Sequence, residues 1–124
     1  MAEGIARHLS GGNDLEFASA GTHAIEGLAP TGFSVRAAAE IGVDIGGHTA
    51  QPLTYGLVDR AEQIYGLTAE HVAVVAERYP GAPAELLDPG GSDIEDPYGM
   101  ELEYYRATRQ RIVDAIGARR EEWA

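Results

Sequence analysis

Helical and extended periodicities alternate along this chain, and the alternation opens on a helix. In "MAEGIARHL" the apolar residues Met1, Ile5, Ala6 and Leu9 recur at helical spacing. No Ser, Thr, Asp or Asn stands ahead of them to cap the first turn. A turn signal, "GGND", leads to "LEFASAG", which reads as a strand with Leu15, Phe17 and Ser19 on one face. The loop "THAIEGLAPTG" brings Pro30 near the first turn of a second helix, with Phe33, Ala37, Ala38 and Ile41 as its stripe and Gly42 at its end. After the irregular "VDIGGHTAQPLT", "YGLVDRA" predicts a short helix and "EQIYGLT" a strand. Thr68 caps the next helix, with Glu70 in its first turn and Val72, Val75, Ala76 and Tyr79 facing inward, and Pro80 stops it. "AELLD" is the last strand. The loop "PGGSDIEDPYG" then leads to a final helix from about Met100, which sends Leu102, Tyr105, Ile112 and Ile116 to the core.

The order α, β, α, β, α, β, α means α/β architecture: a doubly wound parallel sheet with helices on both faces. Units of this kind begin with a strand, and this chain begins with a helix. In a flavodoxin-like sheet the first strand lies inside, and the ligand site opens at its carboxyl end. The expectation is one α/β domain over residues 1–124, of strand order 2-1-3-4, incomplete at its N-terminus because the first central strand lies outside this chain.

With 44% hydrophobic and 23% charged residues, the composition is that of a soluble globular protein, and no stretch is long and apolar enough for a membrane span. A net charge of −11 argues against nucleic acid, whose binding relies on basic side chains neutralising phosphates. The absence of Cys removes disulfides, thiolate metal sites and thiol nucleophiles from these residues, and makes the cytoplasm the expected compartment.

Among chemistry-bearing residues, Asp96 in "SDIEDPYG" stands out. The following Pro97 restricts its backbone to extended conformations, and Tyr98 sets an aromatic face beside the carboxyl. An acid after the last strand lies at the end of the sheet where α/β sites form, where it could donate a proton to a leaving oxygen. The plainer alternative is an Asx-type turn with a solvated acid. His23, His48 and His71 show no metal-ligand spacing, so no metal and no cofactor are expected. Ser19 would be a nucleophile only with a base beside it, and otherwise satisfies a backbone group at a strand end. Arg106, Arg109 and Arg111 are expected to form a solvated face with Glu101 and Glu103. Gly11-Gly12 and Gly90-Gly91 match no phosphate-loop pattern, and no G-x-G-x-x-G occurs, which disfavours a nucleotide-binding domain.

Three stretches together resemble the low-molecular-weight phosphotyrosine phosphatases: "MAEGIARHL", then "SAGT" with "AAAEIGVDIGGHTA", then "DIEDPYG" followed by "EYYRATRQRI". The resemblance runs from Met1 to about Ile116. In that family a strand and a Cys-x5-Arg-Ser loop directly precede a run like "PMAEGIAR". It therefore implies that Met1 is an internal methionine and that roughly fifteen residues, a strand plus a loop, stand ahead of it. These would supply the nucleophilic Cys, the phosphate-clamping Arg and the ring of backbone donors. By the same resemblance Asp96 is the general acid, Tyr98 lines the substrate cleft, Ile25 matches a rim position, and Ser19 and His48 hold the catalytic loop in shape. The implied reaction is metal-free hydrolysis of a phosphorylated protein or small phosphomonoester, phosphotyrosine or phosphoarginine, through a phosphocysteine. The 124 residues alone are expected to be inactive; the alternative is a non-catalytic binding module of the same fold. Arsenate reductases sharing this fold use further cysteines, and this chain has none.

Overall fold

The computed structural model describes residues 1–10 and 15–123, so the turn expected at 11–14 lies outside the described residues. The elements are α1 (Ala2–Leu9), α2 (Gly32–Ala39), α3 (Tyr55–Arg60), β1 (Ile64–Gly66), α4 (Ala69–Arg78), β2 (Ala84–Leu86) and α5 (Leu102–Trp123). β1 and β2 pair in parallel, Ile64 opposite Ala84 and Gly66 opposite Leu86, with α4 as the crossover between them.

Local chemistry explains where the helices start. Thr31, Thr54 and Thr68 cap α2, α3 and α4, each hydroxyl accepting from a backbone N–H three residues on, at 3.2–3.3 Å. Pro30 therefore stands just ahead of the α2 cap and not inside its first turn. Asp93 adds a second acceptor for α4, its carboxylate taking the Ala69 N–H at 2.8 Å. α1 starts at Met1 without a side-chain cap, and Glu3 in its first turn complements the helix dipole instead. Gly42, at φ +81°, turns the chain out of α2.

The core joins α1, α2 and α5 to the end of the sheet. Ile5, Ala38, Val43, Ile45, Leu87, Ile94, Ile112 and Ile116 are all buried in one cluster. α4 packs on the two strands, and its buried Val75 belongs to a separate patch. Ala76, expected to face inward with it, is exposed. Two glycines set the closest approaches. A Cβ at Gly4 would stand 2.7 Å from the Ile45 side chain, and one at Gly66 would stand 2.8 Å from the Val72 side chain. Larger residues there would force α1 and α4 away from their neighbours.

Two expectations need correction. Among the described residues the stretch 15–21 forms no ladder; its one backbone pairing there is an isolated parallel bridge from Gly21 to Pro52. A strand exists only through a partner, and here the carbonyls are taken by side chains: Arg7 donates to the Phe17 oxygen at 2.7 Å and Gln51 to the Ser19 oxygen at 2.9 Å. Nor do the arginines of α5 form a solvated face with Glu101 and Glu103. Arg106 and Arg109 both hold Glu40 at the end of α2, and Arg111 reaches the Asp93 carbonyl and the Asp88 carboxylate. Spacing along one helix cannot reveal partners on another.

Candidate active site

α1 ends its first turn against an open cleft of about 600 Å³, walled by Met1, Glu3, Arg7, His48 and Gln51 among others. Glu3 is the hub. Its side chain is only 10% exposed, and one carboxylate oxygen accepts from the Ser19 hydroxyl at 2.8 Å. The other oxygen pairs with Arg7 and stands 4.0 Å from His48 Nδ1. Ser19 thus donates to a carboxylate and does not satisfy a strand-end backbone group, as its plainer reading had it. Glu3 escapes a reading by sequence because, with Arg7 four residues on, it looks like an ordinary surface helix pair. Only the fold shows that this pair reaches across to Ser19 and His48.

Asp96 lies on the loop that follows β2, at the carboxyl end of the strands. That loop is fixed along its length. The Asp88 carboxylate accepts from the Gly90 N–H at 2.8 Å, and Arg111 donates to the Asp93 carbonyl at 2.8 Å. The Ile94 N–H donates to the Leu67 carbonyl at 2.8 Å, with the Ile94 side chain 2% exposed in the core. Behind Asp96, Pro97 is buried. The Asp96 carboxylate itself is exposed and accepts the Tyr98 N–H at 3.1 Å, which closes an Asx turn.

Tyr98 and Ile25 are 74% and 70% exposed and are not among the residues described as walling the cleft. The structure thus brings Glu3, Ser19 and His48 together, holds Asp96 on the loop after β2, and leaves Tyr98 and Ile25 as exposed side chains on separate loops. Among the described residues, no group of three His, Asp or Glu could hold a metal.

A parallel strand pair wrapped by helices, with an exposed acid on the loop that follows β2, defines the class: a doubly wound α/β protein. The sequence matches no family profile. It is 31% identical over 121 residues to a probable low-molecular-weight protein-tyrosine-phosphatase, EpsP, of Ralstonia solanacearum, covering 93% of this chain and 82% of the relative. It is 28% identical over 108 residues to a protein-arginine-phosphatase of Geobacillus stearothermophilus, covering 82% of this chain and 72% of the relative. The fold superposes on a low-molecular-weight protein tyrosine phosphatase from T. tengcongensis with a TM-score of 0.92 at 30% identity, covering 98% of this chain and 88% of that one. The chain belongs to the low-molecular-weight protein-tyrosine-phosphatase family.

Proposed function

We propose that this chain carries the proton-donating part of a phosphomonoester hydrolase, with Asp96 as the general acid. The observation that supports the reading is the setting of Asp96: an exposed carboxyl on the loop after β2, at the carboxyl end of the strands, in a loop fastened at Asp88, Asp93 and Ile94. The sequence has no cysteine, so the attacking sulfur has to come from residues outside these 124. A thiolate attacks phosphorus, the ester P–O bond breaks, and Asp96 gives its proton to the leaving oxygen. The Asp96 carboxylate then takes a proton from water, whose oxygen attacks the phosphocysteine and releases phosphate and thiolate. Ser19, His48 and Glu3 form one polar cluster in the cleft wall, suited to holding a phosphate-binding loop in shape.

The substrate in this reading is a phosphorylated protein or small phosphomonoester. Phosphotyrosine is favoured because Tyr98, two residues from the acid, offers an aromatic face to a phenyl ring. Ile25 serves as a rim contact, and a phosphoarginine preference is the second reading, supported by the likeness to a protein-arginine-phosphatase. The lack of cysteine supports a cytoplasmic location. No helix is long and apolar enough to cross a membrane among the described residues.

Hydrolysis of p-nitrophenyl phosphate tests the reading. The 124-residue chain is expected to be inactive, and the chain joined to its cysteine-bearing segment active. Turnover by the 124 residues alone would overturn the cysteine requirement and leave this account without its nucleophile.

A further inference from the structure

The loop between β2 and α5 leaves the core at Leu87 and returns to it at Ile94, side chains that are 5% and 2% exposed. Arg111, on α5, spans the base of that loop. Its Nη1 donates to the Asp93 carbonyl at 2.8 Å and its Nη2 to the Asp88 carboxylate at 3.2 Å. The guanidinium thus ties together the two residues that stand just inside the two core anchors. Its own place is set by the next residue of α5, Ile112, which is buried in the same cluster as Leu87 and Ile94. Among the described residues, every side-chain bond that Arg111 makes goes to this loop.

The bond to Asp93 has the larger consequence. The Asp93 carbonyl and the Ile94 N–H belong to one planar peptide unit. Arg111 holds the carbonyl, and the Leu67 carbonyl accepts from the N–H at 2.8 Å. A rigid plane bonded at both ends cannot turn without losing one of its bonds. Only the torsions of Ile94, Glu95 and Asp96 then separate this plane from the Asp96 carboxyl, and Pro97 restricts Asp96 to extended backbone. The buried Ile94 side chain fixes a point on the loop, whereas the locked peptide fixes a direction. The Arg111 and Asp88 side chains are 45% and 25% exposed, so their ion pair adds little to global stability. Its effect is local.

We infer, on the reading of Asp96 as the proton donor, that Arg111 is its positioning residue, fixing the peptide plane from which the carboxyl meets the leaving oxygen. An acid must stand within hydrogen-bond reach of the oxygen it protonates, and small misplacements of a reacting group are costly in rate. Without the guanidinium the 93–94 peptide is held at one end only, and Asp96 spends less time in the productive direction. Esters whose leaving groups need the proton most are slowed most.

The test is Arg111→Met, which keeps the aliphatic stem and removes the donors, in the chain joined to its cysteine-bearing segment. Turnover of phenyl phosphate should fall by about tenfold, and that of p-nitrophenyl phosphate by less than about threefold, with KM nearly unchanged. Added to Asp96→Asn, the same substitution should lower phenyl phosphate turnover by less than about twofold, because its effect passes through the acid. Amide exchange at Ile94 and Tyr98 should accelerate by about fivefold or more beyond any global change. Arg111→Lys, which returns a donor to the Asp93 carbonyl, should recover phenyl phosphate turnover to within about threefold of the parent; if the Met variant fails to fold, Arg111→Gln takes its place in each comparison. Parental turnover of phenyl phosphate, equal falls for the two esters, or a full further fall on top of Asp96→Asn would each overturn the positioning role. Parental phenyl phosphate turnover in Asp96→Asn alone would instead overturn the proton-donor reading, so the two failures are told apart.

Discussion

Ile94 ties the acid-bearing loop to the core, and Ile94→Ala is the sharpest way to test that tie. The side chain is 2% exposed and packs in the main cluster two residues before Asp96. The substitution removes three carbons, worth about 0.8 kcal/mol each in transfer free energy. The cavity left behind adds to this, giving a total of about 3–4 kcal/mol. A domain of this size has on the order of 5–15 kcal/mol of stability, so the loss is large but survivable. Urea titration followed by Trp123, the sole tryptophan, reads it directly. With a slope of about 1.5 kcal/mol per molar urea, the midpoint falls by about 2 M. Ile25→Ala, at a site 70% exposed, is the control and should move the midpoint by less than about 0.3 M. Amide exchange at Tyr98 should accelerate in Ile94→Ala beyond the global change, because the Asx turn at Asp96 loses its anchor. If Ile94→Ala is no more costly than Ile25→Ala, the loop is not held by the core, and the fixed placement of Asp96 is refuted.

Gly66→Ala should destabilise by about 1–3 kcal/mol, since its Cβ would meet the Val72 side chain at 2.8 Å and the Val72 backbone nitrogen at 3.0 Å. Gly56→Ala, which meets nothing within 4 Å, should not destabilise, and equal effects on thermal melting would contradict the packing of α4 on β1. Hydrogen bonds from Arg106 and Arg109 lower the Glu40 carboxyl from 4.5 to about 2. A depressed folded pKa means that its stabilising effect is present above pH 4.5 and is lost as pH falls toward 2. The difference in melting temperature between the parent chain and Glu40→Gln should therefore shrink over that window; a difference constant from pH 6 to 2 would rule it out. Asp93→Ala should cost about 1 kcal/mol by removing the side-chain acceptor at the start of α4; unchanged urea unfolding would show that the cap is dispensable.

The helices were legible in the sequence because each announces itself locally. Thr68 and Pro80 bracket α4, and the Ile112 and Ile116 stripe fixes the buried face of α5. Both strands were found, though shorter than the apolar runs containing them, since ladders end where partners end. What failed was everything decided by a second segment. The stretch 15–21 has the alternation of a strand but no ladder neighbour among the described residues. Arg119, charged and seven residues after Ile112, gives no hint in the sequence that it is buried. It donates to the Leu86 and Leu87 carbonyls at 2.6 and 3.0 Å and stacks over Tyr65 at 5.1 Å. In the candidate site, the Asx turn at Asp96 was visible from Asp-Pro chemistry. Glu3 was not, because its burial depends on Ser19 and His48 arriving from elsewhere.

The most direct test of the proton-donor role is turnover of phenyl phosphate and p-nitrophenyl phosphate by the chain joined to its cysteine-bearing segment, with and without Asp96→Asn. Phenolate is the poorer leaving group and depends on a proton. Its kcat should fall by about 10²–10³, with little change in KM and a smaller loss for p-nitrophenyl phosphate. Equal kcat for phenyl phosphate in the two proteins would contradict the account.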